Sequence, residues 1–141
     1  MTTAPTGDTV DLIQLFGGVN RQLEQILAAR LKPAGLSVEQ YWILRALARR
    51  DGLAMGELAQ KLVVDSPTLT KMIDRLVASA DVYRGPDPHD RRKVLVFISD
   101  KGRARFETLG GDVEDVASGL GDKLDPATVD RLRGFLATIL S

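Results

Sequence analysis

The sequence predicts a mainly α chain that carries one small β-hairpin. Three observations lead there. Apolar residues recur at steps of three and four through most of the 141 residues, the signature of amphipathic helices. A short helical segment, a tight link and a second helical segment stand in succession between residues 55 and 77. The period changes once, between Val82 and Ile98, to a run rich in β-branched and aromatic residues, which reads as paired strands.

The elements follow in order. Residues 1–7 are small and polar and read as a frayed end. From Asp8 to about Leu31 the apolar set Leu12, Leu15, Phe16, Val19, Leu23, Ile26 and Leu27 predicts one long helix, stopped by Lys32-Pro33-Ala34-Gly35. Ser37 and Gln40 stand at the spacing of a capping box, so a second helix runs through Trp42, Leu44 and Leu47 to about Asp51-Gly52. Met55–Leu62 gives about two turns, and Val63-Val64-Asp65 a tight link. Ser66 is then the expected cap of a helix whose first residue is Pro67, the position where proline is favoured. In that helix Leu69, Met72, Ile73, Leu76 and Val77 form one apolar stripe, opposite Thr68, Thr70, Lys71, Asp74 and Arg75.

Val82-Tyr83-Arg84 and Lys93–Ile98 read as the two strands, joined by the turn-rich Gly85–Asp90. Ser99 is the expected cap of a fifth helix to about Leu120, weakened at Gly110-Gly111 by roughly 1 kcal/mol per glycine. Asp125-Pro126 opens a last helix to Leu140, with Val129, Leu132, Leu136, Ile139 and Leu140 as its apolar set.

Composition excludes several functions. With no cysteine, disulfides, thiolate metal sites and cysteine redox sensing are ruled out. His89 is the single histidine, so no metal or other cofactor is expected. No stretch approaches the roughly 18–20 apolar residues of a membrane span, and the N-terminus lacks the basic and apolar regions of a secretory signal; a cytoplasmic protein without membrane contact is expected. No G-x-G-x-x-G, P-loop, G-x-S-x-G or H-E-x-x-H is present, so no enzyme is expected. The formal net charge of zero hides an asymmetry. Residues 66–105 carry nine basic and five acidic side chains, and residues 106–141 carry three and seven. A basic middle means that one face meets an anion.

A short helix, tight turn, helix and hairpin in that order make a winged helix-turn-helix, whose second helix lies in the DNA major groove. Its outward face offers Ser66, Thr68 and Thr70 to phosphates or base edges, with Lys71 and Arg75 one turn apart; Pro67 lies in its first turn. Asp90-Arg91-Arg92-Lys93 places three cations behind the hairpin tip. Adjacent strand residues point oppositely, so one of Arg91 and Arg92 can enter a minor groove while the other meets the backbone. A 141-residue chain with amphipathic helices at both ends exposes apolar seams unless they meet a partner, so a two-fold homodimer is expected, reading inverted half-sites. Tyr41, Trp42 and Arg45 are candidates for the lining of a cleft that takes a small aromatic or apolar effector.

The run LVVDSPTLTKMIDRL followed by DPHDRRKVLVFISDKGR resembles the MarR family of bacterial winged-helix transcriptional regulators, and the flanking segments LSVEQYWILRAL and LDPATVDRLRGFLATIL fit it too. The wing is the specific part. It has an Asp-x-Arg-Asp-x-Arg pattern in the family and reads Asp87-Pro88-His89-Asp90-Arg91-Arg92 here, with His89 in place of an arginine. The resemblance implies that Arg92 enters the minor groove with Asp90 holding it, and that Ser66, Thr68, Thr70 and Lys71 contact DNA. It also implies a dimer through the first and last helices, with a ligand cleft between the dimer and DNA-binding regions. Val63 and Ala80 stand where the family usually has glycine, and Gly110-Gly111 is atypical and a potential kink. The expected organisation is one domain over residues 1–141, with dimerisation helices at 8–31 and 125–140 and a winged core at 37–99. The expected function is a DNA-binding regulator, a repressor on a pseudo-palindromic operator. The alternative is a winged-helix module for protein–protein contact without specific DNA binding.

Overall fold

The computed structural model of the chain describes residues 6–141. Six helices and three short strands alternate as the periodicity requires: α1 Thr6–Leu31, a 3-10 turn Lys32–Ala34, α2 Val38–Arg49, β1 Leu53–Ala54, α3 Met55–Leu62, α4 Ser66–Ala78, β2 Val82–Pro86, β3 Val94–Ile98, α5 Asp100–Gly121 and α6 Pro126–Leu140. The first helix starts two residues before the expected Asp8; the rest of the expected frayed end lies outside the described residues. α5 runs unbroken through Gly110-Gly111.

Three helix starts are fixed by side chains that satisfy otherwise unpaired amides. Ser37 Oγ accepts from the Gln40 amide while Gln40 Oε1 accepts from the Ser37 amide. Ser99 Oγ accepts from Gly102, and Asp125 Oδ1 from Thr128. The fourth differs from expectation. Asp65, not Ser66, caps α4: its carboxylate accepts the Thr68 amide at 2.8 Å, and Ser66 is the first helical residue. Both residue types cap well, but the carboxylate one position earlier sits where the backbone is still extended, and Pro67 still falls in the first turn, where no intrahelical bond needs its missing N–H.

The hairpin is part of a three-stranded antiparallel sheet in the order β1-β3-β2. β1 was not expected. It contributes only Leu53 and Ala54, paired with Val96 and Leu95, too short to carry a period. Asp51 secures the join, its Oδ1 accepting from the Ile98 amide at 2.9 Å.

One core lies where α2, α3, α4 and the sheet converge. Ile43, Leu44, Leu47, Leu58, Leu69, Ile73, Leu76 and Val96 are buried there, together with Leu31 from the end of α1 and Leu109 from α5. Burying an aliphatic side chain of this size contributes about 1.5–3 kcal/mol. Beneath the core's rim, Asp81 is fully buried. Its carboxylate accepts from Ser79 Oγ at 2.5 Å and pairs with the Arg105 guanidinium, which also donates to the Ala34 carbonyl. Arg105 thus ties the turn after α1, the end of α4 and the start of α5 together. Gly102 is part of the same junction: a Cβ there would collide with the Asp81 carbonyl oxygen.

α1 and α6 are different. α6 has no buried side chain. Along α1, Leu12, Ile13, Leu15 and Phe16 are all exposed, and along α6 so are Phe135, Ile139 and Leu140. Contiguous apolar surface of this kind marks a contact site.

Candidate nucleic-acid interface

The presentation of α4 begins with two strained turns. Val63 closes α3 at φ 55 and Ala80 follows α4 at φ 61. Residues with a Cβ reach this left-handed region at a cost of roughly 1–2 kcal/mol, so the two positions where glycine is usual keep the turn shape and bear the strain. The Val63 turn sends its amide to the Ala59 and Gln60 carbonyls and leaves Asp65 extended, ready to cap α4. The Thr68 amide bond is the main reason the Asp65 carboxyl lies below its ordinary range.

α4 then packs Leu69, Met72, Ile73 and Leu76 inward. Its outward face carries Ser66, Pro67, Thr68, Thr70, Lys71, Asp74 and Arg75, all exposed. The Thr70 hydroxyl donates to the Ser66 carbonyl at 2.9 Å. Asp74 would repel phosphate, but Arg84 of β2 holds it at 2.6 Å. That pair, which sequence reasoning missed, braces the helix against the wing across ten positions of chain; the spacing carries no helical or strand period that would announce it.

The wing tip is built by its aspartates. The Asp87 amide donates to the Lys93 carbonyl, and the Lys93 amide to the Asp90 carbonyl. Asp87 Oδ1 accepts from the His89 amide at 2.8 Å. Asp90 Oδ1 accepts from both the amide and the Nε of Arg92, at 3.1 and 3.2 Å. The Arg92 side chain bond is the first cause, and its backbone bond the second, of the lowered Asp90 pKa. Asp90 therefore holds Arg92 at both its backbone and its guanidinium Nε, while the side chain stays 91% exposed. Arg91 is exposed beside it.

The three effector candidates separate. Trp42 and Arg45 line a cleft of about 460 Å³ with Arg49, Arg50, Lys61 and Leu62, and the Arg45 guanidinium sits 6.0 Å from the Trp42 ring centre. Tyr41 is not in that lining. It is buried between Trp42 and Phe106, with ring centres 5.5 and 5.4 Å away, and burial pushes its phenol above the ordinary value, with Arg45 opposing. Arg49, Arg50 and Lys61 were missed because α3 and the end of α2 carry no motif; only the fold brings them to one cleft. Among the described residues no group of three His, Asp or Glu side chains could hold a metal ion, and no helix is long and apolar enough to cross a membrane.

Comparison with known proteins places this architecture. A model of the MarR family matches residues 34–93, from the turn before α2 to the wing. The HTH-type transcriptional regulator TtmR of Methylorubrum extorquens is 35% identical over 106 residues, 75% of this chain and 52% of TtmR, so the match spans about half of that relative's length. The multiple antibiotic resistance protein MarR of Escherichia coli is 33% identical over 100 residues, 71% of this chain and 69% of MarR. The crystal structure of a mutant of that MarR complexed with operator DNA is 29% identical and superposes with a TM-score of 0.83, covering 99% of this chain and all of the other. With its recognition helix, its braced wing and these relatives, the chain belongs to the MarR family of winged-helix, DNA-binding transcriptional regulators.

Proposed function

We infer that the chain acts as a homodimer on a pseudo-palindromic operator, as a repressor, with one α4 in each of two major-groove half-sites and each wing in the flanking minor groove. The observation that carries this reading is Arg92: Asp90 orients its guanidinium through Nε while the side chain stays 91% exposed, the arrangement that suits a narrow, electronegative minor groove. Ser66, Thr68, Thr70, Lys71 and Arg75 contact phosphates and base edges through their side chains. Pro67 shapes that first turn and Arg91 meets the backbone. The MarR structure that this chain resembles holds operator DNA, which supports the same use of the face here.

The dimer forms through the exposed seams of α1 and α6, residues 8–31 and 125–140, around the winged core of 37–99. A DNA ligand places the protein in the cytoplasm, and a small effector entering beside Trp42 and Arg45 is the release signal. A module for protein contact alone would have no use for cations on both α4 and the wing tip. Capture of bound genomic DNA, followed by binding isotherms on the recovered site, tests the reading. A single inverted repeat protected on both arms is the expected result. Absence of any preferred site, with the salt dependence nearly flat between 50 and 200 mM rather than falling on the order of 10³–10⁵, would reject it.

A further inference from the structure

The cleft beside α2 sets four cations around an apolar floor of Trp42, Ala46 and Leu62. Arg45 and Arg49 are one turn apart on α2, Arg50 follows at its end, and Lys61 faces them from the last turn of α3. Arg50 is engaged by Glu57 at 3.5 Å. Arg45, Arg49 and Lys61 have no acidic partner among the described residues. Three cations without an ion-pair partner around one concavity make a positive potential that attracts an anion of comparable charge. The cleft is also of ligand size, and one wall is flat: the Trp42 indole with the Arg45 guanidinium over it, a surface on which a planar ring stacks.

Resting on the reading of this cleft as the effector entrance, we propose that it binds a ring-bearing diphosphate of the nucleoside diphosphate class, the ring on the Trp42–Arg45 platform and the phosphates between Arg49 and Lys61. A carboxylate on an aromatic ring satisfies only one of the three cations, and an apolar effector none. The ligand touches Lys61 and Leu62, the residues that lead into the left-handed Val63, two positions before the Asp65 cap of α4. Occupancy and the pose of the recognition helix are therefore linked, and by reciprocity operator DNA changes the affinity of the cleft by the same factor.

Trp42 is the chain's single tryptophan, so its fluorescence reports on this cleft directly. ADP titrated into the full-length protein is expected to quench it saturably. Adenosine, pyrophosphate and benzoate, each lacking one half of the ligand or most of its charge, bind at least about tenfold more weakly. Arg49→Gln and Lys61→Gln each weaken ADP by about tenfold or more and leave operator affinity measured without nucleotide unchanged. Saturating ADP shifts the operator affinity of the parent protein.

No saturable response to ADP, by fluorescence or by calorimetry, overturns the proposal. An ADP response that both variants retain, or an operator affinity indifferent to saturating ADP, overturns it equally. If the variants instead lose operator affinity without nucleotide and with a smaller salt slope, the cleft is a phosphate contact of the DNA and the proposal fails in that way. The broader reading is judged separately: a parent chain that selects no site in the absence of nucleotide fails as a regulator whatever the cleft does.

Discussion

The winged core and the two terminal helices spend their apolar residues in opposite ways. In the core, Ile43, Leu44, Leu58 and Ile73 are fully buried, and the helices that carry them close on each other. In the arms, Ile13 is 70% and Phe135 66% exposed, although both stand on helices. The core is finished by its own chain; in the proposed dimer, the arms are finished by another. In that proposal the difference separates stability, which one chain supplies, from operator reading, which takes two.

Removing α6 is the strongest way to split these roles. A chain ending at Leu124 keeps every buried core residue and is expected to stay folded but monomeric in sedimentation. Its operator affinity falls by on the order of 10²–10⁴, the share that joining two heads contributes. A truncated chain that still sediments as a dimer would place the interface on α1 alone.

Within one chain the counterpart is Arg105. Arg105→Met leaves the buried Asp81 carboxylate without its counter-ion, a loss of about 3–5 kcal/mol in urea unfolding. Ile73→Ala, at the centre of the core stripe, costs about 2–5 kcal/mol. Ile13→Ser in the arm leaves the stability of the monomeric truncated chain within about 0.5 kcal/mol. An Ile13→Ser effect as large as that of Ile73→Ala would erase the distinction drawn here.

Smaller effects sharpen the reading of DNA. Arg92→Ala is expected to weaken binding about ten- to a hundredfold, more on operators with A·T-rich flanks than with G·C-rich ones. Asp90→Ala reproduces part of that loss, because Asp90 holds the Arg92 Nε. An Arg92 variant that binds both operators as tightly as the parent would remove the wing from the minor groove. Lys71→Ala, if the side chain meets a phosphate, lowers the salt slope by about 1 without changing sequence preference.

The smallest effect is one of pH. The Asp65 carboxyl is lowered by its bonds to Thr68, so its cap contributes above the ordinary carboxylate range and is lost as pH falls through it. Operator affinity of the parent should decline on that acid limb. Asp65→Asn, which caps without titrating, should decline less, and identical limbs would detach the cap from DNA reading.

Much of this contrast was legible in the sequence because it rests on local chemistry. The Ser37-Gln40 box, the stripe from Leu69 to Val77 and the apolar set of α6 are each contained in one element. Asp65 was passed over for Ser66 because two good caps stood side by side and only the backbone after Val63 chooses between them. β1 escaped because two residues have no period and its partner, β3, is far along the chain. The buried Asp81, the Asp74–Arg84 brace and the cations around Trp42 depend on pairings between elements, which no window of sequence contains.

The glycines of α5 carry a record of what surrounds them. A saturation library at these positions, selected for chains that still bind the operator, should return glycine alone at 102, where the Asp81 carbonyl leaves no volume for a methyl group. At 110 and 111 an added Cβ meets no atom of this chain, and alanine there favours the helix by roughly 1 kcal/mol. Alanine should therefore be enriched at both. Depletion instead would be the imprint of a neighbouring subunit lying against that turn, so substitution frequencies at two unremarkable glycines would draw the edge of the dimer contact from inside a single gene.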